Sequence, residues 1–165
     1  MDIVKMYFLA ERMEAFAFIG IGLLAILFAM WLLLSVRVHF YNGMAYSLMV
    51  IALIQVGMGT AVAVGTSHNI VRVDTYVAGA EKDKVKDEEI TRMEDTMKRY
   101  VIFRYIEFTL LVFGIVLFLV NREPSLWKGI GFGLGIQSLV MLALGVLSTL
   151  RGHDYLLYLR TLVAT

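Results

Sequence analysis

AFAFIGIGLLAILFAMWLLLSV, residues 15–36, runs for 22 residues without a formal charge. Roughly 20 apolar residues in a helix are needed to cross about 30 Å of hydrocarbon. Its two glycines and single serine do not interrupt the apolar character. Three further stretches, 43–66, 100–120 and 126–150, are of the same kind, nearly or wholly free of charge. A spanning segment must satisfy every backbone amide internally, and four segments cannot close a barrel, so each is expected to be a helix.

The rest of the composition agrees. The chain has 165 residues, of which 59% are hydrophobic and 18% charged, with one proline. A soluble domain of this size has too much surface to hide that much apolar side chain. The net charge of +1 exerts no general pull on nucleic acid, and no basic patch interleaved with aromatics is present. The absence of cysteine excludes disulfides, thiol catalysis and thiolate metal ligands. The first apolar run is too long for a cleavable leader and is flanked by Glu11, Arg12 and Glu14.

The connections differ in kind. Arg37–Asn42 and Asn121–Ser125, the latter containing Pro124, are tight and make their flanking spans antiparallel neighbours. The 67–99 connection is long and polar, but Ile90, Met93, Met97 and Val101 fall at helical spacing. Ile70, Val73 and Val77 extend the periodicity of the second span, and Gly79 with the charged 81–86 segment makes a turn. The expected fold is an all-α integral membrane protein. Its four transmembrane helices form an up-down bundle, with a helical hairpin between spans two and three. Residues 2–14 read as a helical lead-in, and the amphipathic tail 152–165 is expected to pack against the hairpin's apolar stripe.

Lys and Arg set the expected orientation. Eleven lie in the tails and hairpin and three, Arg37, Arg122 and Lys128, in the short loops. This places both ends of the chain and the hairpin on the cytoplasmic side of a bacterial-type inner (plasma) membrane.

Helices in lipid associate through close backbone approach and interhelical hydrogen bonds. Gly57, Ala61 and Gly65 make a small-residue stripe on the second span, and Gly131 with Gly135 (beside Gly129 and Gly133) does so on the fourth. Gln55 and Gln137, both near mid-membrane, are expected to bond to each other. The run GIGFGLG follows no strand and lies inside a span, so it is not a dinucleotide loop.

Glu107 is the residue most suggestive of chemistry. It sits about two turns inside the third span, where an ionised carboxylate costs on the order of 2–3 kcal/mol or more. Arg104 lies one turn shallower, and Tyr100, Arg104, Glu107, Leu111 and Gly114 share one side of the helix, which is expected to face the interior. The ends of the other spans bring Glu11, Arg12, Glu14, His68, Arg151, His153 and Asp154 to the same membrane face. In a purely structural reading, Glu14 or Glu107 pairs with Arg104, and Arg12 with Asp154. No Glu-x-x-His pair or nucleophile motif occurs, so no metal, cofactor or catalytic residue is expected.

The leading functional expectation is a non-enzymatic interaction, accessory or immunity-type protein. It would bind a protein partner or a second copy through its hairpin and tails, with Ile90, Met93 and Met97 as the contact surface. The alternatives are a proton- or ion-coupled transporter or channel using Glu107 with Arg104, and a membrane enzyme acting on lipid headgroups with Glu107, His68 or His153 in acid–base roles.

Overall fold

The computed structural model describes residues 3–78 and 85–164. Every element in them is helical: α1 (Ile3–Ser35), α2 (His39–Ala78), a π-helical turn (Val85–Ile90) leading into α3 (Thr91–Val120), and α4 (Leu126–Ala164). All four long helices are apolar and long enough to cross a membrane. With 30 to 40 residues each, they run to roughly 45–60 Å, well beyond the hydrocarbon thickness. The turn expected at Gly79 lies outside the described residues.

The outer surface suits a lipid solvent. Leu24 (67% exposed), Leu34 (78%) and Leu119 (69%) are among many large apolar side chains that no other helix covers. A water-soluble monomer rarely carries apolar surface on this scale.

The two short connections have local causes. α1 stops at Ser35, and α2 restarts at His39, four residues earlier than the charge-free stretch begins. At the other connection Asn121 leaves the helical region, and its amide Nδ2 donates to the Leu117 carbonyl at 2.7 Å. Pro124 follows, and Ser125 caps α4 by accepting the Lys128 N–H at 3.3 Å.

Helix packing relies on glycine at particular rotations. α1 meets α2 where Gly22 lies on Ala52 and Val56, and where Gly59 lies on Ala15, Phe18 and Ile19. The alternating glycines of α4 serve two neighbours. Gly129 and Gly133 admit Phe40, Met44 and Ser47 of α2, while Gly131 admits Gly114, Leu117 and Phe118 of α3. Gly135 presents its backbone nitrogen to Gly114. Residues two apart on a helix point about 200° away from each other, so a glycine at every second position opens both faces.

The α2 stripe corrects the expectation. A Cβ on Gly57 or Gly65 would meet nothing within 4 Å, and Ala61 is exposed. Gln55 is buried and sets the rotation of α2, so Gly57, two residues on, is turned outward and Gly59, one turn on, faces α1.

Gln55 and Gln137 do meet. The Gln137 amide donates to Gln55 Oε1, and Gln55 Nε2 donates to the Phe18 carbonyl of α1 at 3.0 Å. Three helices are thus tied at mid-depth by two amides with almost no exposure. Gln55→Leu is expected to lower stability by about 1–2 kcal/mol, measured by unfolding in mixed micelles, because Gln137 loses its partner in an apolar surround. An unchanged midpoint would mean that the pair carries no load.

Beyond the spans the four helices continue together around a second core. Val4 and Phe8 of α1, Val73 of α2, Met93 of α3, and Tyr155, Leu156 and Leu159 of α4 are all buried there. Tyr7 stacks on Tyr155 with ring centroids 4.0 Å apart. Glu89 is fully buried at this level, gripped by Arg92 through two bonds of 2.6 and 2.9 Å, with Arg72 at 3.6 Å and the Tyr155 hydroxyl donating at 3.3 Å. The proposed contact surface is therefore already occupied. Met93 has no exposure, and Ile90 and Met97 pack against the same core. The chain's own ends supply enough apolar side chain to cover that stripe.

Candidate functional site

Between the Gln55–Gln137 pair and this outer core the packing opens. α1 and α3 nowhere bring Cα atoms within 8 Å of each other among the described residues, while α2 and α4 pack closely between them. The result is a cleft of about 120 Å³. Two matching stripes wall it: Glu11, Glu14, Ala15 and Phe18 on α1, and Tyr100, Phe103, Arg104 and Glu107 on α3. Both follow the i, i+3, i+4, i+7 spacing of a single helix face. Met58, Gly59 and Val62 of α2 and Gly145 and Ser148 of α4 complete the lining.

Both carboxylates at the outer end have partners. Arg151 donates to Glu14, which also accepts the Ser148 hydroxyl. Glu11 accepts the Thr66 hydroxyl at 2.9 Å and the Tyr7 hydroxyl at 3.5 Å. A small polar cavity among Tyr7, Glu11, Glu14, Tyr100, Ser148 and Arg151 adjoins this end. Arg104 reaches across to α4 and donates to Thr149 at 2.7 Å.

Glu107 differs from the rest. It is 8% exposed, and among the described residues no side chain donates a hydrogen bond to it and no cation lies within 4.0 Å. Gly145 faces it, and a Cβ there would stand 3.5 Å from Glu107 Oε2. The carboxyl group lies at the inner end of the cleft, one turn below Arg104. Deeper still, the Phe18 carbonyl is held by Gln55, and the glycine contacts fill the remaining half of the span.

Five of the nine residues expected to gather at this membrane face do so: Glu11, Glu14, Arg104, Glu107 and Arg151 line or adjoin the cleft. The other four do not. Arg12 is exposed and lies over the Phe16 ring at 5.5 Å, and His68, His153 and Asp154 are exposed. The expected ion pairs change accordingly. Glu14 pairs with Arg151 instead of Arg104, and Arg12 rests on an aromatic ring instead of Asp154. Arg12 is about 100° round the helix from Glu11 and 200° from Glu14, so it points outward when they point in.

Ser148, Thr149 and Tyr7 were not singled out by sequence, and neither was Glu89. Small hydroxyl residues in an apolar run carry little signal. Glu89 did carry one: it stands four residues before Met93 and shares its helix face. Among the described residues no three His, Cys, Asp or Glu side chains group as metal ligands. The chain matches no family model, no curated protein and no solved structure.

Proposed function

We propose that this chain is a binding protein of a bacterial-type plasma membrane, whose cleft receives an amphiphile dissolved in the bilayer. In this reading the helices form an up-down bundle with a hairpin between the second and third, and the polar end faces the cytoplasm. One observation carries the reading: an apolar-walled cleft between α1 and α3, whose backbones stay more than 8 Å apart, with the buried carboxyl group of Glu107 among its lining. Concave sites lined mainly by apolar and aromatic side chains with a few convergent polar groups are the usual form of small-molecule sites. Alongside the cleft the α1 and α3 backbones stay more than 8 Å apart, and this gap is the proposed entry from the lipid.

Two features favour binding over the alternatives. The surface that would have docked a partner, around Met93, is filled by the chain's own ends. The glutamine pair and the glycine contacts occupy the other half of the span, so conduction through a single copy has no support. A protein partner or second copy would use the outer faces of the helices.

The test is photolabelling in nanodiscs with a long-chain alcohol bearing a diazirine near its hydroxyl. Labels are expected at Phe18, Met58 and Phe103. Gly145→Leu, which fills the inner end, should lower labelling there by roughly tenfold, corresponding to about 1.4 kcal/mol of lost binding. Uniform labelling of every lipid-facing residue, unaffected by Gly145→Leu, overturns the reading.

A further inference from the structure

We infer that the ligand of the cleft carries a positively charged, ammonium-type head, with Glu107 as its counter-charge. This rests on the amphiphile-binding reading and adds the chemistry of the head.

Charge in the cleft is one-sided. Three carboxylates, Glu11, Glu14 and Glu107, line it against one guanidinium, Arg104. Their states differ. Glu14 is held by Arg151 and Ser148, and Glu11 by Thr66 and Tyr7. Arg104, on the wall of the same cleft, donates to Thr149. That leaves Glu107, more than nine-tenths buried, with no hydrogen-bond donor and no cation within 4.0 Å among the described residues, the charge of Arg104 acting on it only from a turn away. An isolated carboxylate away from water is costly, and an ammonium brought beside it relieves that cost through a charge-assisted hydrogen bond. An anionic head would meet the opposite field, and a neutral one would gain only an ordinary hydrogen bond.

The walls favour the same sign. Phe18, Tyr100 and Phe103 supply three aromatic rings, whose negative faces attract cations. Size agrees as well. At about 120 Å³ the cleft is somewhat smaller than an engineered cavity of about 150 Å³ that holds benzene. It has room for an ammonium head. The tail leaves sideways into lipid between α1 and α3.

The experiment uses three photoreactive amphiphiles with identical chains, ending in a primary ammonium, a hydroxyl or a sulfate. Each is presented to the full chain in nanodiscs, and labelling is corrected for the amount partitioned. The ammonium probe is expected to label Phe18, Met58 and Phe103 about tenfold more than the hydroxyl probe, and the sulfate probe least. Glu107→Gln should bring the ammonium probe down to the hydroxyl level while leaving hydroxyl labelling in place. Sulfate labelling equal to ammonium in the unmodified chain, or an ammonium preference that survives Glu107→Gln, overturns the inference while the cleft remains an amphiphile site. The ranking in the unmodified chain stands even if the variant fails to fold. Labelling by none of the three removes the amphiphile-binding reading itself.

Discussion

Replacing Glu89 with alanine is expected to cost about 3–5 kcal/mol, because it leaves the guanidinium of Arg92 partly buried without its carboxylate. Glu89 has no exposure, and its pair with Arg92 is bidentate at 2.6 and 2.9 Å, with the Arg92 side chain only 24% exposed. Arg72, at 3.6 Å and 40% exposed, adds less because water screens it. The Tyr155 hydroxyl also loses its acceptor inside the outer core. The loss should appear as a lower melting temperature in detergent and as faster amide exchange over residues 153–160, where α4 is held to the start of α3. Glu89→Gln keeps an acceptor for Tyr155 and should fall between the two. If the alanine variant melts with the parent, the cluster does not fasten the end of α4.

Gly129→Ala should be the most damaging of the conservative glycine changes, and Gly57→Ala nearly silent. A Cβ on Gly129 would overlap the Phe40 carbonyl and lie 3.0 Å from the Met44 nitrogen. Both obstacles are backbone, so relief requires α2 and α4 to move apart along their length. Overpacking of this kind costs about 1–3 kcal/mol and at times more. Gly131→Ala should behave similarly, since its Cβ would stand 2.6 Å from the Gly114 carbonyl oxygen. At Gly57 and Gly65 the added methyl meets nothing within 4 Å, and the change should gain up to about 1 kcal/mol of helix propensity. Unfolding of the four single variants in mixed micelles ranks them. A Gly57→Ala loss larger than that of Gly129→Ala would mean that the outward stripe is itself a contact face.

The candidate site was legible in depth but not in rotation. Charge-free length sets how far along its helix each polar residue lies, and this gathered Glu11, Glu14, Arg104, Glu107 and Arg151 at one level without any motif. The same argument gathered Arg12, His68, His153 and Asp154, which share the level but point away. Helices apolar on every side give no stripe from which to phase them. The second span shows the consequence: its evenly spaced Gly57, Ala61 and Gly65 looked like the contact face, yet the single buried Gln55 turned that stripe outward. The stripe of Ile90, Met93 and Met97 turned inward for a related reason. Ile90, Met93 and Met97 form a real apolar stripe; the tail expected to cover it does so through Tyr155 and Leu159, and spacing gave no sign that Val4 and Phe8 of α1 would join them.

Sequence alone determined that the described residues are helical and that four segments suit lipid, because backbone amides in hydrocarbon leave no other choice, while it ran the first short turn four residues too far, to Asn42. It also paired Gln55 with Gln137, since two amides at one depth in an apolar medium have few other partners. Tertiary structure decided the rotation of each helix and, through it, which side α1 and α3 leave open. That opening depends on which glycines admit which neighbours, a matter of contact shape over a few ångströms that composition and spacing do not encode. The unpartnered carboxyl of Glu107 follows from the same packing: Thr149 of α4 stands within reach of Arg104 and takes the guanidinium that the neighbouring turn offered to Glu107.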